Sequence, residues 1–138
     1  MMKIKILLPI ILLAIATIGF AQDAKYQLSS HILDITKGQP AADVKISLSQ
    51  QNNSGEWTTV DEKFTDKNGR ITDFLKEVDG VDQHGVYKLT YFVEPYFERA
   101  GQSSFYPSIE VVFEIKDGNH YHVPITLSPY GYSTYRGN

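Results

Sequence analysis

Residues 109–127 read Ile-Glu-Val-Val-Phe-Glu-Ile-Lys-Asp-Gly-Asn-His-Tyr-His-Val-Pro-Ile-Thr-Leu, and their alternation decides the fold class. Ile109, Val111, Phe113 and Ile115 take one parity, while Glu110, Glu114 and Lys116 take the other. The alternation returns from His120, with Tyr121, Val123, Ile125 and Leu127 on the apolar side. Successive side chains of a strand point to opposite faces, so period two with one apolar parity marks a half-buried strand.

The same period runs upstream. Tyr26–Asp34 puts Tyr26, Leu28, Ser30 and Ile32 on one face and Gln27, Ser29, His31 and Leu33 on the other. Val44, Ile46 and Leu48 alternate with Lys45, Ser47 and Ser49. Trp57–Thr65, a short Ile71–Phe74 and Val86–Val93 complete the predicted strands, and Pro95–Ala100 is the one short helix expected. Lys37-Gly38-Gln39-Pro40 and Asn52–Gly55 are turn signals. Asn68-Gly69 predicts a hairpin, because both residues tolerate positive φ. Seven or eight short strands separated by turns predict an all-β sandwich, with strand order left open.

Residues 1–21 read as a signal peptide rather than part of the fold. Lys3 and Lys5 precede an apolar stretch, and Gly19 and Ala21 stand where a signal peptidase reads small residues. The uncharged run Ile6–Ala21 falls short of the ~20 residues that span a bilayer. Cleavage after Ala21 is expected to leave one domain, residues 22–138, in the periplasm or secreted. Losing the leader's two lysines takes the formal net charge from −3 to −5. An acidic chain without a basic run argues against nucleic acid or an anionic membrane as partner. With no cysteine there is neither a disulfide nor a lipoprotein anchor to expect.

Parity also singles out the chemistry. His120 and His122 share a parity opposite the apolar set of the last predicted strand, and His31 lies opposite Ile32. Arg70 follows a tight turn, and Arg136 stands in Tyr135-Arg136-Gly137-Asn138. Imidazoles and permanent cations in an acidic chain suit a flat, anionic, oxygen-rich small molecule. Spacing alone favours ordinary solvated surface for each of these residues. His120 and His122 also have the spacing of a metal pair, but two ligands do not complete a site.

Four blocks, in order, resemble the 5-hydroxyisourate hydrolases of the transthyretin-related family. They are Ser30-His31-Ile32-Leu33-Asp34 with Gly38-Gln39-Pro40-Ala41; Thr65–Arg70; Tyr96-Phe97 with Phe105-Tyr106-Pro107; and His120-Tyr121-His122-Val123-Pro124 through Asn138. The family's chains typically end Tyr-Arg-Gly-Ser, so Asn138 is a departure. The resemblance implies a transthyretin-like sandwich of two four-stranded sheets with one short helix, assembled as a homotetramer. It implies hydrolysis of 5-hydroxyisourate, a purine-derived small molecule, to 2-oxo-4-hydroxy-4-carboxy-5-ureidoimidazoline in urate degradation. No metal or organic cofactor is implied. Carried over, the catalytic set is His31, Arg70 and His122, and the substrate-binding set is Tyr135, Arg136, Gly137 and Asn138. The resemblance leaves open which histidine is the base. The alternative is a non-catalytic periplasmic transthyretin-like carrier of a small ligand. Hormone-carrying transthyretins resemble the fold but lack the two-histidine set and the Tyr-Arg-Gly ending.

Overall fold

The computed structural model describes residues 22–138, so the signal-peptide reading of residues 1–21 lies outside the described residues. The elements are β1 (Tyr26–Asp34), β2 (Gln39–Pro40), β3 (Lys45–Gln51), β4 (Trp57–Phe64), β5 (Arg70–Lys76), β6 (Gly85–Tyr91), α1 (Glu94–Arg99), β7 (Ile109–Ile115), β8 (Tyr121–Ser128) and β9 (Gly131–Thr134). They form two sheets packed face to face. The first is built on β5-β1-β8-β9, with the two-residue β2 pairing the end of β1 on the edge that β5 also uses. The second runs β4-β3-β6-β7, antiparallel throughout. The expected sandwich of two four-stranded sheets and one short helix is therefore present.

The apolar parity of each strand faces the other sheet. Leu28, Ile32, Phe74, Val123, Ile125 and Leu127 meet Ile46, Leu48, Leu89, Tyr91, Ile109 and Val111 in one core. Each fully buried aliphatic or aromatic side chain contributes about 1.5–3 kcal/mol. Polar atoms in that core are paired: the Ser30 and Tyr91 hydroxyls both donate to the Val123 carbonyl, at 2.8 and 3.1 Å. Buried Asp34 accepts the Thr36 and Lys37 N–H groups at 3.0 and 3.1 Å and the Tyr96 hydroxyl at 2.7 Å, which ties α1 to the first sheet.

Two expectations need correction. Asn68-Gly69 does not close a hairpin, because β4 and β5 lie in different sheets and β5 pairs with β1. The turn instead carries the chain across the sandwich. Asp66 caps it, accepting the Asn68 and Arg70 N–H groups at 2.8 and 3.0 Å. Gly69 is required twice over: its φ is +70°, and a Cβ would stand 2.6 Å from the Ile32 carbonyl oxygen. The second correction is β9. Gly131–Thr134 forms an edge strand against β8, although its short polar and aromatic run has no apolar alternation to mark it.

Candidate functional site

The outer face of the first sheet gathers the residues that parity singled out. β1 and β8 run parallel with Ser29 opposite His122 and His31 opposite Pro124. β1 and β5 run antiparallel with His31 opposite Arg70. Paired residues project to the same face of a sheet. Ser29, His31, Arg70 and His122 therefore share one face of three adjacent strands. Parallel pairing of β1 with β8 joins residues about ninety positions apart, such as Ser29 and His122.

The C-terminal segment closes the same patch. Beyond β9 the register continues to an isolated antiparallel bridge, in which the Gly137 N–H donates to the His122 carbonyl at 2.8 Å. The His122 ring lies against the Gly137 α-carbon. A Cβ at residue 137 would overlap His122 Cδ2 and stand 3.2 Å from Cγ, so only glycine leaves the ring in place. By the same register Tyr135 falls on the histidine face, and it is exposed.

Electrostatics prepare both imidazoles. Burial is the main cause that lowers the His31 pKa below 6.5, and the Arg70 guanidinium adds to it. A backbone hydrogen bond with Asn68 and the Asp66 carboxylate oppose that shift. His122 is lowered by burial first, then by Arg70, His31 and His120. Both rings are consequently neutral near pH 7, with a lone pair available for proton abstraction. Arg70 is exposed, and a guanidinium keeps its charge at any working pH.

Arg136 is placed differently. In the continuing register it falls on the parity opposite His122, and its guanidinium lies over the Tyr121 ring at 4.6 Å. The Tyr121 hydroxyl donates to Asp117 at 3.1 Å. The Asp117 carboxyl is held below its ordinary range chiefly by the Asn119 N–H, with Tyr121 and Arg136 contributing. A cleft of about 290 Å³ lined by Val111, Phe113, Tyr121, Val123, Tyr135 and Arg136 opens on this side. Of the expected residues, then, His31, Arg70, His122 and Gly137 share a face, and Tyr135, on that parity by register, also borders the cleft. Arg136 stands on Tyr121 instead, and Asn138 is exposed at the end of the segment.

Two participants were not among the expected site residues. Ser29 Oγ lies 2.8 Å from His122 Nδ1 and also 2.8 Å from His120 Nε2. His120 Nδ1 is 2.9 Å from the Tyr26 carbonyl oxygen. His120 is thus no ordinary surface residue, even though it is exposed. The parity of Ser29 with His31 was visible in the sequence, but the register that sets it beside His122 was not. The metal-pair spacing of His120 and His122 serves one shared hydroxyl here. Among the described residues no group of three or more His, Asp or Glu side chains is arranged to hold a metal.

With this geometry in view, similarity to known proteins is informative. Residues 28–137 match the model of the HIUase/Transthyretin family. A probable 5-hydroxyisourate hydrolase of Caenorhabditis elegans is 48% identical over 112 residues, covering 80% of this chain and 81% of the relative. The 5-hydroxyisourate hydrolase of Salmonella typhimurium is 43% identical over 112 residues, covering 80% of each chain. Among solved structures, Klebsiella pneumoniae 5-hydroxyisourate hydrolase superposes with a TM-score of 0.67 at 35% identity, covering 84% of this chain and 100% of that one. Transthyretin from Sparus aurata superposes with a TM-score of 0.74 at 30% identity, covering 82% and 97%. Backbone shape is common to the hydrolase and the transthyretin, so the side chains on the sheet face must carry the functional distinction. By model match, sequence and shape together, the chain belongs to the HIUase/Transthyretin family.

Proposed function

We propose that this protein is a 5-hydroxyisourate hydrolase acting in urate degradation, with its site on the outer face of the first sheet. The observation that carries the reading is the convergence, on that face, of two imidazoles of lowered pKa and one guanidinium that makes no side-chain ion pair among the described residues. A transthyretin-like carrier needs no such poised pair, and the named hydrolases among the relatives support the enzyme over the carrier.

In the proposed reaction, His122 Nε2 takes a proton from water as the water oxygen attacks a ring carbonyl carbon of 5-hydroxyisourate. The electron pair of the carbonyl collects on its oxygen, where Arg70 provides a fixed positive charge. Collapse re-forms the carbonyl and breaks the ring C–N bond. The departing nitrogen recovers the proton from the His122 imidazolium, which restores the neutral base. His31 orients water or substrate beside it. General-base catalysis of this kind contributes about 10²–10⁴ in rate. Tyr135, Gly137 and Asn138 line the substrate end of the patch. Arg136 supports the segment through Tyr121, over whose ring its guanidinium lies.

The homotetramer belongs to the same proposal. β7 and β9 are edge strands of the two sheets, and an unpaired edge offers its backbone groups to another chain. Phe105, Tyr130, Tyr132 and Tyr135 are large exposed aromatics on and around the β8–β9 connection. A second dimer over the histidine face would exclude water from the site. Export with cleavage after Ala21, to the periplasm or outside, completes the reading.

The test is turnover of freshly generated 5-hydroxyisourate, followed by ultraviolet absorbance, for wild type and His122→Ala. A loss of at least about 10² on truncation is expected, with an unchanged melting temperature. Wild-type protein that leaves the spontaneous rate unaltered would refute the enzyme. Light scattering on residues 22–138 tests the assembly, and a monomer at micromolar concentration would remove the proposed cover. Intact mass of periplasmic protein tests the cleavage, which fails if the product still begins at Met1.

A further inference from the structure

The hydrogen bonds around Ser29 determine where the proton sits on His122. A carbonyl oxygen can only accept, so the 2.9 Å contact between His120 Nδ1 and the Tyr26 oxygen requires a proton on Nδ1. In neutral His120 the other nitrogen, Nε2, then carries a lone pair. The Ser29 hydroxyl, 2.8 Å away, donates its one proton to that lone pair. Having no second proton, Ser29 Oγ can only accept from His122 Nδ1, also at 2.8 Å. His122 must therefore be protonated on Nδ1 and bare on Nε2.

We infer that Ser29 and His120 are positioning residues of the hydrolytic site, forming a polarised chain from the Tyr26 carbonyl that holds His122 in its Nδ1–H tautomer with Nε2 free to take a proton from water. The tautomer of an imidazole is set by the bond its other nitrogen makes, and such outer partners also fix the ring's orientation. Gly137 completes the setting, since a Cβ there would overlap the ring at Cδ2. The chain stabilises the product of proton abstraction as well. When Nε2 gains its proton, the Nδ1–H of the imidazolium is already donating to a hydroxyl whose own proton is engaged by His120.

The inference rests on the hydrolase reading for its kinetic consequence but not for its structural content, and the experiment separates the two. With only four histidines in the chain, ring resonances of the full-length ¹⁵N-labelled protein are assignable by single substitution. At pH 8 the His122 ring is expected to show a protonated Nδ1 and an unprotonated Nε2. Ser29→Ala should lose that preference and lower kcat about 10–100-fold with little change in KM. Ser29→Thr, which keeps the hydroxyl, should restore both. An Nε2–H tautomer in the wild type overturns the inference, even if turnover is normal. So does a Ser29→Ala variant whose kcat stays within about twofold of wild type while 5-hydroxyisourate is being hydrolysed. If the Nδ1–H tautomer is found but no turnover occurs, the hydrogen-bond chain stands and the hydrolase reading falls.

Discussion

The two sheets present opposite kinds of polar outer face. On the second sheet, cations and carboxylates neutralise one another at the surface: Lys45 pairs with Glu62 at 3.2 Å and Lys88 with Glu110 at 3.5 Å. Lys45 and Lys88 also lie over the Phe92 and Trp57 rings. Such pairs are solvated, screened by salt, and worth about 0–1 kcal/mol each. On the first sheet, the Arg70 side chain takes part in none of the ion pairs among the described residues, and it lies beside imidazoles, with the Asp66 carboxylate bonded to its backbone N–H rather than to its guanidinium. A guanidinium held out of any side-chain ion pair next to half-buried titratable rings has little structural use. It depresses their pKa values and offers a permanent cation to an incoming oxygen, which is what a hydrolytic site requires.

The largest effect expected from this contrast lies at the two arginines. Arg70→Ala should lower kcat/KM by about 10²–10³, the usual loss when an oxyanion partner is removed. Arg136→Ala removes an equal charge from the opposite parity and should cost far less in rate. Steady-state rates of the two variants decide it. Equal losses would mean that Arg136 reaches substrate, in its own site or a neighbour's.

A smaller effect is expected at Gly137, where Gly137→Ala pushes the His122 ring off its seat. A fall in kcat of about tenfold or more should accompany a nearly unchanged melting temperature, because the residue is at a sheet edge outside the core. A fully active alanine variant would show that the ring position is not critical.

Acid should act on the first face and spare the second. His31 and His122 have folded pKa values below the unfolded 6.5, so kcat/KM should stay flat down to about that pH and fall only below it. The stability sign is the same. Unfolded histidines bind protons first, so stability is complete above pH 6.5 and is lost as pH drops through the lower folded values. His122→Ala should make that loss shallower in a pH series of denaturant melts. An acid limb lying above pH 6.5 would contradict the lowered values. The smallest effect belongs to the second face: Glu62→Gln should change stability by no more than about 0.5 kcal/mol and leave turnover unaltered.

Much of this was legible in the sequence, and the reason differs element by element. β1 and β7 match their expected ranges and β8 differs by one residue at each end, because a long apolar alternation is a local property of the chain. The histidine face followed from the same parity. β9 was missed because an edge strand covered on neither side has no apolar parity to display. The Asn68-Gly69 hairpin was misread because a tight turn is local, whereas the choice of which sheet receives the next strand is not.

Sequence alone, then, determined the strands with apolar alternation, the apolar core and the outward set of His31 and His122, since side-chain direction in a strand depends only on counting by two. The tertiary structure decided which outward residues meet. Parallel pairing of β1 with β8 put Ser29 between His120 and His122, and antiparallel pairing with β5 put Arg70 beside His31. The bridge at Gly137 drew the C-terminal segment onto the His122 ring and left Arg136 on the far parity. Register is the physical reason. It is settled by the packing of one sheet against another across the whole chain, and a slip of one residue would have exchanged the two faces.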